Sequence, residues 1–237
     1  MDRPFPFIAA PFRSVLLFFI AIDVAFVLIH IGGWATFRLG LTGDVAFVLR
    51  ISEDRSIPEM FNYFKWLIIV VALTKVAIRD QWLVAAGWAA VFLLLLLDDS
   101  LQLHETVGIL IAENLQLQDD ALLEAGDAGE LIYAGVMGGL VALLAGSSLL
   151  RSDARSRKLS LTYILVIIAF GFFSVVVDAI HRGIINALPE DGLLQDIAAV
   201  LEEGGEMFVA SAAAAITLAP RSWAFRKITL ASTQVER

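Results

Sequence analysis

Long apolar runs, separated by short polar segments, make up most of this chain. Six of the runs are long enough to cross about 30 Å of hydrocarbon as helices that rise about 1.5 Å per residue. None shows the strict alternation of polarity expected of strands in a membrane barrel. The sequence therefore predicts an all-α integral membrane protein, a single multi-pass domain over residues 1–237 forming a six-transmembrane-helix bundle, with helices near 13–31, 60–78, 81–111, 130–150, 159–188 and 193–219.

The composition supports this prediction and excludes several classes of protein. Of the 237 residues, 59% are hydrophobic, and mean hydropathy is +0.79. Soluble domains contain only about 45–50% apolar residues. The chain has no cysteine, which excludes disulfides, thiolate metal ligands and a cysteine nucleophile. A net charge of −8 without a basic patch argues against a nucleic-acid partner.

Charge in the short loops predicts the orientation of the helices, because Lys and Arg concentrate on the cytoplasmic side. The connection 112–129 contains five acidic residues and no Lys or Arg, so we expect it outside. Both termini are expected in the cytoplasm, and the protein is expected in the cell (inner) membrane, surrounded by the lipid bilayer. The basic positions behind this expectation are Arg3, Arg13, Lys75, Arg79, Arg151, Arg155, Arg157, Lys158, Arg221, Arg226 and Lys227.

The first outer loop, Gly32 to Glu59, is long for a membrane connection. Its apolar run 44–51 is too short to span and has polar flanks, which predicts an interfacial segment. This segment either covers a site as a lid or rests on the lipid headgroups.

Ionisable residues interrupt the third apolar run over Asp98 to Glu105. Each such group at bilayer depth costs about 2.5 to 3.5 kcal/mol on insertion scales, so it is tolerated when it pairs, lines a wet cavity or binds an ion. The fifth and sixth runs carry similar groups at matching depth. Helical spacing places Asp178 beside His181, and Glu202 beside Glu206. This stretch and its partners are therefore the predicted functional site.

One interpretation of these groups is a metal centre, because clustered carboxylates repel unless they bind cations or protons. At the level of ligands alone, the set resembles that of di-iron carboxylate bundles, with Asp178-x-x-His181 in place of Glu-x-x-His. The spacing of Ser100 and His104 is similar to that in membrane hydrolases of the alkaline ceramidase type, whose later His-x-x-x-His is absent here. Iron, manganese or zinc is expected. The predicted direct ligands are Asp98, His104, Glu105, Asp178, His181, Glu202 and Glu206, and the predicted supporting or possible additional residues are Asp99, Glu203, His30, Asp23 and Arg182. The other interpretation is a salt-bridged or proton-sharing network without metal.

The leading functional hypothesis is a membrane-embedded, metal-dependent enzyme acting by hydrolysis or oxidation on a lipid or other apolar substrate, with Glu105, Asp98 and Ser100 as catalytic candidates. The alternative is a cation- or proton-coupled transporter. Its difficulty is that the polar groups cluster in the outer half of the membrane, with only Asp23 and Lys75 continuing inward. An assembly subunit with a purely structural acidic pocket is a third hypothesis. The sequence leaves the oligomeric state open.

Two smaller predictions concern packing. Gly135, Gly138 and Gly139 are expected to be positions of close helix contact, as is the pair Gly204-Gly205. Lys65 is expected to extend its amine to the membrane surface.

Overall fold

The computed structural model describes residues 12–43, 46–119, 123–150, 153–187 and 193–219, and most of these residues are in helices. The all-α prediction is confirmed for these residues, which contain no strand. The helices are α1 Phe12–Arg38, α2 Ile57–Asp80, α3 Leu83–Leu101, α4 Leu103–Leu115, α5 Ala125–Leu150, α6 Ala154–Gly171, a π-helical segment Phe172–Val177 continuous with α7 Asp178–Ala187, and α8 Leu193–Leu218.

Five of these helical stretches are long and apolar enough to cross a membrane, which identifies a membrane protein. They are α1, α2, α3, most of α5, and the stretch Ala154–Gly183 that joins α6 to α7. The predicted sixth span, α8, is 26 residues long but carries several carboxylates and is not among the five. The number of spans and the side of each terminus therefore remain predictions.

The predicted third helix is divided into two. Gln102 has a left-handed backbone with a φ of 51°, so α3 ends at Leu101 and α4 begins at Leu103. Residues other than glycine adopt this conformation rarely. Gln102 Nε2 donates to Asp54 Oδ2 over 2.6 Å, which ties the break to the outer loop. The single helix expected over 81–111 was therefore wrong, because helical periodicity does not report a one-residue break.

Helix α8 packs against both α1 and α2, and its C-terminal half is rich in small residues. Ala210, Ala213 and Ala214 are fully buried, which lets the neighbouring helices approach closely. Beside them, aromatic rings fill the core. The Trp66 and Phe92 rings stack with centroids 5.7 Å apart, and the centroids of Phe92 and Tyr163 are 4.9 Å apart.

Two close approaches depend on glycine. A Cβ on Gly129 of α5 would lie 2.0 Å from the carbonyl oxygen of Gly108 of α4. A Cβ on Gly205 would lie 2.1 Å from the ring of Phe173 in the π-helical segment, as the predicted close packing of this glycine requires. Gly135, Gly138 and Gly139 have nothing within 4 Å of that position, so their predicted contact role was wrong. The close crossing instead involves Gly108 and Gly129, which our sequence analysis did not single out.

The first outer loop is held against α1. Ile51 is 3% exposed, and its backbone N–H donates to His30 Nδ1 over 3.4 Å. Of the predicted interfacial segment, only the turn Phe47–Leu49 is helical, and Asp44 and Val45 lie outside the described residues. Ser56 then caps α2 by accepting a hydrogen bond from Glu59 N, with Pro58 in the first turn.

Candidate functional site

Three carboxylates on two helices form what we call the acidic cluster: Asp99 of α3, and Glu203 and Glu206 of α8. Glu203 and Glu206 are one turn apart, and all three side chains are half-buried. Glu206 lies within electrostatic range of both Glu203 and Asp99. No hydrogen bond or ion pair joins any of the three side chains to a residue of the described ranges, although His104 lies within electrostatic range of Asp99.

Within the acidic cluster, Glu203 is the residue that lies near α2 and the first outer loop. Glu203 lies within electrostatic range of Glu59 and Asp54 as well as Asp99. The Tyr63 hydroxyl donates a short hydrogen bond to Glu59 and lies 3.3 Å from the backbone oxygen of Asp99. Our sequence reasoning missed Glu59 and Tyr63. Their four-residue spacing at the start of an apolar run was a usable signal.

Further along α2 and α8 lies a completely buried ion pair, Lys65 with Asp23 of α1. Lys65 Nζ donates to Asp23 Oδ1 over 2.9 Å, to the Met207 carbonyl over 3.0 Å and to Ser211 Oγ over 3.2 Å. Ser211 Oγ in turn donates to the second oxygen of Asp23. All three donors of the ammonium and both oxygens of the carboxylate are therefore used.

This ion pair corrects the predictions for both of its members. Lys65 does not extend to the membrane surface, since it is 0% exposed. Asp23 was predicted as a possible supporting group for a metal, yet its oxygens accept from Lys65 and Ser211. The signal was present in the sequence, because Asp23 and Lys65 are opposite charges inside two apolar runs at comparable depth.

Arg182 of α7 is clamped by three carboxylates. Its Nε donates to Asp178 Oδ1 over 2.9 Å, and its other nitrogens contact Glu130 Oε2 at 2.9 Å and Asp127 Oδ1 at shorter range. Asp127 and Glu130 belong to α5, so the clamp ties α5 to α7. Asp178, a predicted metal ligand, is thereby engaged with a guanidinium. Neither Asp127 nor Glu130 was predicted as a site residue.

Two histidines, His181 and His104, lie close to carboxylates. His181 Nδ1 lies 2.6 Å from Glu202 Oε2, which joins α7 to α8. His104 Nδ1 lies 3.6 Å from Asp98 Oδ2, and its Nε2 lies 3.9 Å from Glu105 Oε1. The Asp98 carboxylate also accepts a hydrogen bond of 2.8 Å from the Tyr133 hydroxyl. Spacing thus identified residues that do meet, although α3 and α4 are separate helices.

Two other predicted residues lie apart from these contacts. His30 accepts the hydrogen bond from Ile51 N and so helps to hold the outer loop. Ser100 is half-buried in the last turn of α3.

The predicted metal ligands are not gathered into one group among the described residues. Within the part of the chain that the structure describes, no three His, Asp or Glu side chains come together as a metal-holding group. The reason is visible in the contacts, since His181 is paired with Glu202 and Asp178 with Arg182. The predicted donors are therefore divided among the acidic cluster, the Arg182 clamp and the two histidine contacts.

Comparison with known proteins gives one match. A family model described as a domain of unknown function (DUF8692) matches residues 15–219. No curated protein and no solved structure matches the chain. What the site does must therefore be argued from its own chemistry.

Proposed function

The chain belongs to the DUF8692 family, and we propose that it is a proton-coupled membrane transporter whose proton-binding groups are Asp99, Glu203 and Glu206. The observation that carries the proposal is that these three carboxylates lie within electrostatic range of one another and form no hydrogen bond or ion pair with a residue of the described ranges. Such an arrangement is useful in a membrane protein whose carboxylates bind and release protons.

The energetic argument starts from the cost of burying charge. An ionised carboxylate at bilayer depth costs about 2.5 to 3.5 kcal/mol, and repulsion between neighbouring carboxylates adds to this. Proton binding removes both costs, since it neutralises the group. A proton carrier must also exchange with water, and none of the three side chains is completely buried in the protein.

The course of α8 favours transport over a closed active site. Glu203 and Ser211 are eight residues apart, or about 12 Å along the helix. Ser211 belongs to the buried Lys65–Asp23 pair, so polar groups continue along α8 beyond the acidic cluster. The sequence suggested that such groups were confined to one end, and this was the main argument against a transporter.

The proposal includes the predicted six-span topology with α8 as the sixth span, both termini in the cytoplasm and a location in the cell inner membrane. The metal-dependent enzyme remains the competing proposal. It requires iron, manganese or zinc on a ligand set that the described residues do not form.

Proton movement by reconstituted protein tests the proposal. Purified protein in liposomes, with an imposed pH gradient and a potassium–valinomycin shunt, should acidify or alkalinise the lumen as reported by a pH-sensitive dye. The Glu203→Gln, Glu206→Gln double variant should lower the initial rate at least about ten-fold. Glu113→Gln is the matched control, because Glu113 is an exposed carboxylate on α4. Wild-type protein that moves no protons above empty liposomes would overturn the proposal.

A further inference from the structure

We propose that a hydrated passage continues from the acidic cluster past Asn62 to the Lys65–Asp23 pair, which makes Asp23 an inner proton acceptor reached from outside. This inference rests on the proposed transport function. It adds one proton-binding site, Asp23, to the path of the proton. The observation behind it is a buried polar atom that nothing else accounts for.

That atom is Asn62 Oδ1. Asn62 is 6% exposed, and its side-chain oxygen has no hydrogen-bond partner among the residues that the structure describes. Buried polar atoms are nearly always paired with protein or with ordered water, so an orphaned acceptor in a folded core marks a place for water. An amide oxygen can only accept, which suits a water molecule or a protonated carboxyl as donor.

The position of Asn62 along α2 connects the two polar groups. Glu59 precedes Asn62 by nearly one turn and accepts a hydrogen bond from the Tyr63 hydroxyl, which lies 3.3 Å from the backbone oxygen of Asp99. On its inner side is Lys65, one turn further along the same helix. Helical geometry places Asn62 within about 60° of Lys65 around the axis of α2, on the side that packs against α8.

The Lys65 side chain bends back toward Asn62. Its ammonium lies 4.8 Å from the centroid of the Phe61 ring, although Phe61 precedes it by one turn. Side chains in helices point toward the N-terminus in this way. The ammonium is therefore at the level of Asn62, and a water on Asn62 Oδ1 would lie between the acidic cluster and the Lys65–Asp23 pair.

The chemistry of the inner step is a proton transfer. An O–H bond on Glu206 breaks and leaves a carboxylate, while an O–H bond forms on Asp23 and neutralises it. Water held at Asn62 relays the proton and is unchanged at the end. Lys65 is the charged side chain that contacts Asp23 from α2, and the contact from α8 is the Ser211 hydroxyl. A neutral Asp23 no longer holds Lys65 by charge, which loosens α1 from α2 and α8.

The absence of native cysteine allows a direct test of hydration. In Asn62→Cys, a small cationic methanethiosulfonate added to the outer side of oriented vesicles should modify the thiol. Asn114→Cys, at an exposed position on α4, is the reactive control, and Ala85→Cys, at a position with 0% exposure, is the unreactive one. If the cysteine at position 62 is as inert as that at position 85, the passage is refuted.

A second pair of variants tests the role of the oxygen without relying on labelling. Asn62→Leu should lower proton flux at least about ten-fold while Tm stays unchanged or rises, because an unpartnered polar atom has been removed. Asn62→Ser keeps a group that holds water, so its flux should stay within about three-fold of wild type. Unchanged flux in the leucine variant refutes the passage. A fall in Tm together with flux also refutes it, since the oxygen would then have a structural partner.

The two proposals fail separately. Loss of flux in the Glu203→Gln, Glu206→Gln variant with normal flux in Asn62→Leu would retain the transporter and reject the passage. Labelling at position 62 in a wild-type background that moves no protons would retain the hydrated passage and reject the transporter.

Discussion

Lys65 Nζ and Asp23 Oδ1 are 2.9 Å apart, and neither side chain is exposed to solvent. The pair links α1 to α2, and its hydrogen bonds to Met207 and Ser211 add α8. A buried ion pair offsets its own desolvation cost only when every donor and acceptor is satisfied, as happens here. The side-chain oxygen of Asn62 on α2 and the carboxylates of Glu203 and Glu206 on α8, which have no hydrogen-bond partner among the described residues, thus lie on two of the same three helices.

Removing one member of this pair should be strongly destabilising. Lys65→Met leaves the Asp23 carboxylate buried without its cation, which should cost about 3–5 kcal/mol. The measurement is the free energy of unfolding, or Tm, in detergent. Lys75→Met on the same helix is the control, because Lys75 is exposed and its loss should change stability by less than about 1 kcal/mol. Equal effects of the two substitutions would contradict the buried pair.

Glycine substitutions should separate the α4–α5 crossing from the open face of α5. Gly129→Ala places a methyl group against the backbone of Gly108, so it should cost about 1–3 kcal/mol or more. Gly138→Ala on the same helix meets nothing and should be neutral or stabilising by up to about 1 kcal/mol, owing to helix propensity. Thermal unfolding in detergent measures both. The opposite ranking would show that α5 packs through its other face.

The topology is testable with reporter fusions. A reporter placed after Gln118 should lie outside, because the connection 112–129 is acidic. A reporter placed after Ser156 should lie inside, because the preceding segment is rich in arginine. Alkaline phosphatase and green fluorescent protein give opposite readouts on the two sides and serve as each other's control. Both positions on one side would remove the depth relationships used for the acidic cluster.

Metal content separates the transporter from the enzyme. The contacts of His181 with Glu202 and of Arg182 with Asp178 satisfy predicted ligands without a metal ion, so we expect less than stoichiometric metal in purified protein. The His104→Ala, His181→Ala double variant should have the same metal content as wild type by elemental analysis. About two equivalents of iron, manganese or zinc in wild type, lost in the double variant, would instead favour the enzyme.

Hydropathy located the helices well because the requirement to satisfy the backbone in lipid is local, and each apolar run reports it independently. The break at Gln102 escaped detection because a single left-handed residue leaves the pattern of side chains almost unchanged. Within α7, Arg182 contacts Asp178 four residues earlier, a contact that helical spacing allows. Sequence spacing did not predict which residues pair between helices. The contact of Asp23 with Lys65 joins residues 42 positions apart, and only the packing of α1 against α2 and α8 decides it.

The break at Gln102 has a further consequence for how the bundle responds to its surroundings. Helices α4 and α5 contact each other far more than they contact α3. They form a hairpin that is connected to α3 through the left-handed residue Gln102. The Arg182 clamp joins α5 of this hairpin to α7 through ion pairs, and the Arg182 side chain is 32% exposed. Ionic attraction at that exposure weakens as counterions accumulate. The hairpin is therefore the part of the molecule whose position depends most on ionic strength, while the apolar contacts around Trp66 are indifferent to it.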